Sequence, residues 1–227
     1  MIRLILGVFS MATIIVGQQE VSFPTKDGGV VYADVYGSGE RGVVLAHGAK
    51  FDKASWKDQA TQLASAGFRA MAIEFRGYGK SKGGPNSQSP QDELYLDVLA
   101  GVDYLRGHGA KTVAVIGASM GGRASANAVV KGPPGAIDRL ILLAHAPIQN
   151  PERIAGPKLF ASAQGDPVTK SVQEQFAKAP EPKELLILEG SAHAQNLFTT
   201  DQNERLMKEI LRFLSAAKPT GVKKVSQ

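Results

Sequence analysis

The sequence predicts an α/β fold: a mostly parallel sheet of about eight strands with helices on both faces and a β-hairpin at the N-terminal end. Three observations carry that prediction. Six short, near-continuous apolar runs lie between Val43 and Leu188, the pattern of strands covered on both faces. Stretches with helical spacing separate them, as βαβ units require. Ahead of these, Val21-Ser22-Phe23 and a second strand-like run over 30–36 flank the turn signal Lys26-Asp27-Gly28-Gly29.

After the hairpin, the strand candidates fall at residues 43–46, 70–73, 113–116, 140–143, 159–162 and 185–188. Helical stretches are expected at about 54–65, 92–107, 120–131, 170–178 and 203–217, the last with Leu206, Ile210, Leu211 and Leu214 at helical spacing. Such apolar stripes serve a core rather than a cofactor. Residues 83–90 form a loop dense in turn residues, and 218–227 read as a flexible tail. With no internal repeat or linker, residues 19–217 are expected to form one domain.

Met1-Ile2-Arg3 precedes an apolar run from Leu4 to Gly17 broken only by small or weakly polar residues, so residues 1–18 read as a signal peptide or N-terminal anchor. Ile15-Val16-Gly17 is a poor cleavage site, which keeps the uncleaved membrane anchor open beside export to a periplasmic or extracellular space. A third reading makes residues 4–17 part of the fold, but the run has no charged partners on any face.

The chain has 227 residues, 43% of them hydrophobic and 21% charged, within the range of folded globular proteins. It contains no cysteine, which excludes disulfides, thiolate metal sites and a cysteine nucleophile. Part of the net charge of +5 comes from Lys218, Lys223 and Lys224, and no basic stripe interleaved with aromatics occurs, so nucleic-acid binding is not expected. The four histidines are dispersed, without metal-site spacing, and the glycines around 77–84 match neither a phosphate loop nor a dinucleotide fingerprint. Neither a metal nor a cofactor is expected.

Gly117-Ala118-Ser119-Met120-Gly121 fits G-x-S-x-G, a pattern frequent by chance. Its context is specific: it follows the strand candidate ending at Ile116 and opens a helix from Met120. A sharp strand-to-helix turn of that kind exposes the serine hydroxyl above the sheet, with glycines allowing the turn without a Cβ clash. The helix N-terminus adds positive potential near a developing oxyanion.

From about Val30 to Ala217 the chain resembles the α/β-hydrolase family. The landmarks are His47-Gly48 after the third strand, Arg76-Gly77-Tyr78-Gly79-Lys80-Ser81 after the fourth, the pentapeptide after the fifth, Gly165-Asp166 after the seventh and His193 after the eighth. Glu74-Phe75 departs from the family, many members of which have an aspartate before the Arg-Gly run. The resemblance implies a serine hydrolase in which Ser119 is the nucleophile, His193 the base and Asp166 the carboxylate that orients it. It also implies an oxyanion hole of two backbone N–H groups, from Met120 and from Ala49, with Lys50 the alternative to Ala49. Glu189 is the rival carboxylate. His47 would shape its loop, His108 would favour a helix C-terminus, and His145 would be a hydrogen-bonded histidine at a strand end or a pocket wall.

Residues 146–157 are only a short loop where capped members of the family insert a helical lid, so an open site without a cap domain is expected. Lys50, Lys53 and Arg123 could favour anionic groups at its rim, or be solvated surface charge. The expected activity is hydrolysis of a small-molecule ester through an acyl-enzyme. Peptidase, amidase or thioesterase chemistry is the alternative, and a binding module that has kept the fold is the alternative of another class.

Overall fold

The structure, a computed structural model, describes residues 17–87 and 89–217. The leader expected over 1–18 lies outside the described residues except for Gly17 and Gln18, and the tail expected over 218–227 lies wholly outside them.

Among the described residues eight strands form one sheet in the order β1-β2-β4-β3-β5-β6-β7-β8. They are β1 (Gln18–Pro24), β2 (Val30–Tyr36), β3 (Arg41–Ala46), β4 (Phe68–Ile73), β5 (Thr112–Ala118), β6 (Arg139–Leu143), β7 (Lys158–Ala163) and β8 (Lys183–Leu188). β1 and β2 make the N-terminal hairpin, in register from Gln18 opposite Tyr36 to Pro24 opposite Val30. β2 runs antiparallel to β4, and every later pairing is parallel. β1 begins earlier than the apolar pattern at Val21 suggests, because Gln18, Gln19 and Glu20 lie exposed on an edge strand, where backbone pairing does not require apolar side chains.

Helices α1 (Lys57–Ser65), α2 (Pro90–Gly107), α3 (Met120–Lys131), α4 (Thr169–Lys178) and α5 (Asn203–Ser215) fill the connections. The first helical stretch differs from its expectation, since Lys53–Trp56 is a 3-10 turn with Asp52 capping Ser55 N–H before α1 begins. Central strands alternate between two cores because successive side chains of a strand point to opposite faces. Val44, Ile73, Val115 and Leu142 pack with Val98 and Val102 of α2 and Val172 of α4. Val43, Leu45, Ile116 and Ile141 pack with Leu63 of α1 and Leu206, Ile210 and Phe213 of α5. Both faces of the sheet are therefore covered, as the continuous apolar runs require.

Between β6 and β7 the chain forms only a short loop with a 3-10 turn at Pro151–Arg153, and among the described residues no cap covers the carboxyl edge of the sheet. Among the described residues no helix is long and apolar enough to cross a membrane.

The Arg-Gly run after β4 has a structural role. The buried Arg76 guanidinium bonds through Nε and a terminal nitrogen to Asp97 Oδ1 of α2, at 2.9 and 2.7 Å, and its backbone N–H donates to Asp97 Oδ2. It also reaches Asp27 in the hairpin turn at 2.7 Å and Glu93 at 3.0 Å. One cation thus joins the hairpin, the loop after β4 and α2. Burial alone would push the Asp27 carboxyl up, but hydrogen bonds from Arg76 and Thr25 outweigh it and hold that group far below the usual carboxylate range.

Removing one partner of a buried pair leaves the other desolvated and unpaired, at a cost of roughly 3–5 kcal/mol. Asp97→Ala is accordingly expected to lower unfolding stability by about that much, read from the urea midpoint at constant m-value.

Candidate active site

The pentapeptide forms a tight elbow between β5 and α3. Ser119 has φ 50° and ψ −114°, a backbone conformation that L-residues rarely adopt. The turn is held from both sides, by Ser119 N–H to Leu143 O at 2.9 Å and Ala146 N–H to Ser119 O at 2.9 Å. A Cβ at Gly121 would collide with the carbonyl oxygens of Ala46 and His47, and one at Gly117 with Gly121 O and Ser125 Oγ. Both glycines are needed because backbone here packs directly on backbone.

Three chain segments meet at the Ser119 hydroxyl. His193 Nε2 lies 2.9 Å from Ser119 Oγ, and His193 Nδ1 lies 2.8 Å from Asp166 Oδ2. Asp166 is buried, and its other oxygen accepts Val168 N–H at 3.1 Å. The loops that carry the acid and the imidazole are tied together by Gln164 N–H to Leu188 O and Gly165 N–H to Gly190 O, both 2.8 Å. The His193 side chain is 40% exposed, so the hydroxyl it faces is reachable from solvent. An imidazole bonded on one side to a carboxylate and on the other to a serine hydroxyl can accept that hydroxyl's proton and return it to a leaving group. Glu189 is exposed, and the Nδ1 position it would have to occupy is filled by Asp166.

Beside Ser119 lies an open pocket of about 280 Å³, lined by Gly48, Ala49, Lys50, Phe51, Ala194 and Asn196 together with Ser119 and His193. Met120, the first residue of α3, adjoins it, and the N–H groups of a helix's first turn have no partner within the helix. Tyr78 fixes the loop after β3: its hydroxyl donates to Ala49 O at 2.9 Å and lies 3.8 Å from Met120 Sδ. Of the three rim cations, Lys50 lines this pocket. Lys53 is held by Asp34 at 2.6 Å and Glu20 at 3.1 Å, and Arg123 lines a separate polar depression with Asn127, Lys131 and Gln149.

The remaining histidines are structural. His47 is buried, accepts Phe75 N–H at Nε2 and lies 2.9 Å through Nδ1 from Gly48 O. Burial lowers its pKa, so at neutral pH it is an uncharged imidazole that shapes the loop. Glu74, the departure from the family pattern, lies beneath the same loop and accepts Lys53 N–H at 3.2 Å, and burial raises its carboxyl pKa. His108 caps α2, with Nδ1 2.8 Å from Tyr104 O and its ring stacked on Tyr104. His145 is wholly buried, with Nδ1 3.0 Å from Ala146 O and Nε2 without a partner among the described residues. Among those residues no group of three or more His, Asp or Glu side chains could hold a metal ion.

The profile of the hydrolase family described as serine aminopeptidase, S33 matches residues 38–155, just over half of the chain. The chain belongs to this family of α/β-hydrolases. Two curated relatives match over part of the chain. The non-heme chloroperoxidase CPO-A1 of Kitasatospora aureofaciens is 30% identical over 126 residues, which are 54% of this hydrolase and 43% of that protein. Bifunctional epoxide hydrolase 2 of Sus scrofa is 38% identical over 82 residues, 35% of this chain and 14% of that one. The matched segment thus spans less than half the length of either relative.

Solved structures share the fold. An esterase from Pyrococcus furiosus matches with a TM-score of 0.75 over 92% of this hydrolase and 96% of that chain, at 18% identity. A CIB-like hydrolase from Thermoplasma acidophilum matches with a TM-score of 0.70 over 88% and 98%, at 22% identity.

His145 makes folding sensitive to acid. Burial lowers its pKa from 6.5 to about 4, so as pH falls the unfolded chain binds this proton first. Its contribution is therefore complete above pH 6.5 and is lost progressively toward pH 4. His145→Leu is expected to lose less stability between pH 7 and pH 4 than the parent, by on the order of 3 kcal/mol, read from urea midpoints at the two pH values.

Proposed function

We infer that this hydrolase is a serine esterase acting on small carboxylic esters through an acyl-enzyme. The observation that carries the reading is the Ser119–His193–Asp166 chain, with heavy-atom separations of 2.9 and 2.8 Å, at a solvent-reachable elbow. Ser119 Oγ attacks the ester carbonyl carbon as its proton passes to His193 Nε2. Asp166 keeps the imidazole's Nδ1–H pointed away from the substrate and stabilises the imidazolium. The tetrahedral oxyanion takes hydrogen bonds from Met120 N–H and Ala49 N–H. As the C–O bond breaks, His193 gives its proton to the departing alkoxide, leaving acyl-Ser119 and an alcohol. Water then attacks the acyl carbon with His193 as base, releasing the acid and restoring the serine.

The pocket favours an ester over the N-terminal residue of a peptide. Its described lining includes Lys50 and no carboxylate, so the ammonium of an aminopeptidase substrate would meet a cation where it needs an anion. A volume of about 280 Å³ and the short loop between β6 and β7 suit a short acyl group with the alcohol directed to solvent.

On a panel of p-nitrophenyl esters from acetate to octanoate, turnover is expected to be highest for the shorter acyl chains. Ser119→Ala is expected to lower it about 10⁴-fold or more, and Asp166→Asn about 10³- to 10⁴-fold. Ester turnover that survives in Ser119→Ala would contradict the reading. The leader reading belongs to the same proposal, which puts the reaction outside the cytoplasm. N-terminal sequencing of protein from the native host is expected to start near Gln18, where β1 begins, and a start at Met1 would mean that the segment is retained.

A further inference from the structure

We propose that Gln195 is a positioning residue that sets the oxyanion donor of the loop after β3, and hence the rate of acyl transfer. The inference rests on the acyl-transfer reading above. Gln195 is 4% exposed and lies two residues beyond His193, at the start of a 3-10 turn, Ala194–Thr199. Its carboxamide bridges two loops: Oε1 accepts Gly48 N–H at 3.1 Å, and Nε2 donates to Ser55 Oγ at 3.0 Å. Since Gly48 N–H can only donate, the amide orientation is fixed by its partner.

The consequence concerns which N–H groups remain for a ligand. Gly48 N–H is consumed by Gln195, and a Cβ at Gly48 would lie 3.2 Å from Gln195 Oε1 and 3.4 Å from Ser119 Cβ, so the amide and the elbow confine this residue from two directions. The next peptide, Gly48–Ala49, carries Ala49 N–H; its own carbonyl, Gly48 O, accepts Phe51 N–H at 3.0 Å, and the peptide after it is held by Tyr78 through Ala49 O. Gln195 on one side and Tyr78 on the other therefore leave Ala49 N–H with a defined direction. An oxyanion donor is effective only when its geometry is set before the reaction, because a donor that must reorganise loses its advantage over water. Gln195 does this from the segment that carries the imidazole, so the donor and the base are spaced by one side chain.

The test uses the rate at which a fluorophosphonate probe labels the full chain, which needs no knowledge of the natural ester. Labelling of the parent and its loss in Ser119→Ala test the acyl-transfer reading separately. Given that result, Gln195→Leu removes both hydrogen bonds and is expected to slow labelling about 10- to 100-fold, less than outright loss of an oxyanion donor. Gln195→Glu keeps an acceptor for Gly48 N–H and is expected to stay within about fivefold of the parent, which keeps the proposal testable if the leucine variant fails to fold. The inflection of the labelling rate against pH, which reports the base, is expected to be the same in the parent and Gln195→Leu, since leucine brings no charge to the site. Labelling of Gln195→Leu within twofold of the parent, equal losses in both variants, or an inflection displaced in Gln195→Leu would overturn the proposal.

Discussion

The contact of α3 with the end of β3 is one of backbone on backbone, and the site depends on it. Gly121 rests against the carbonyls of Ala46 and His47, and Gly117 against Gly121 and Ser125, with no room for a methyl group at either position. That approach forces the chain through a sharp turn, and Ser119 absorbs it at φ 50°. Among the described residues only Ala144 and Ala194 join Ser119 as non-glycine residues with positive φ, and all three follow strands at the carboxyl edge of the sheet. Each such conformation costs about 1–3 kcal/mol and persists because its surroundings over-determine it. Here the surroundings are the paired ends of β3, β5 and β6 and two apolar cores.

The architecture could be read from the chain because few alternatives satisfy its pattern. Runs such as Val113-Ala114-Val115-Ile116 have no polar face, so they suit strands buried on both sides, and the helical stretches between them supply the cover. The elbow was legible for the same reason: its glycines and its place between strand and helix state a local geometric requirement. The positions of Asp166 and His193 after β7 and β8 came from chain order, and the sheet brings them within hydrogen-bonding distance of the serine's side of the site. The first helical stretch opens as a 3-10 turn capped by Asp52 rather than as continuous α-helix, a difference that apolar spacing does not register.

Less was legible about what holds the loops. Arg76 belongs to a motif visible in the sequence, yet its partners Asp27, Glu93 and Asp97 lie up to 49 positions away. Lys53 looked like a free rim cation but is committed to Asp34 and Glu20, because the hairpin folds against the loop after β3. Gln195 gave no signal at all, since its partners lie 147 and 140 positions earlier. Such contacts depend on which loops the sheet order makes neighbours, and single-sequence patterns do not encode that.

The separation of labour is clear in physical terms. The sheet and its two cores fix where the strand ends lie, the elbow raises one hydroxyl above them, and hydrogen bonds between loops set the directions of the groups around it. The open pocket beside that hydroxyl is lined by Lys50, Phe51, Ala194 and Asn196, among others. The proposed reaction requires a covalent intermediate on Ser119. Acid-quenching the full chain during the first turnovers of p-nitrophenyl butyrate and mapping the digest by mass spectrometry tests it directly. A butyryl adduct on the peptide containing Ser119 is the predicted result, and steady turnover with no adduct there, or with one on another residue, would contradict it.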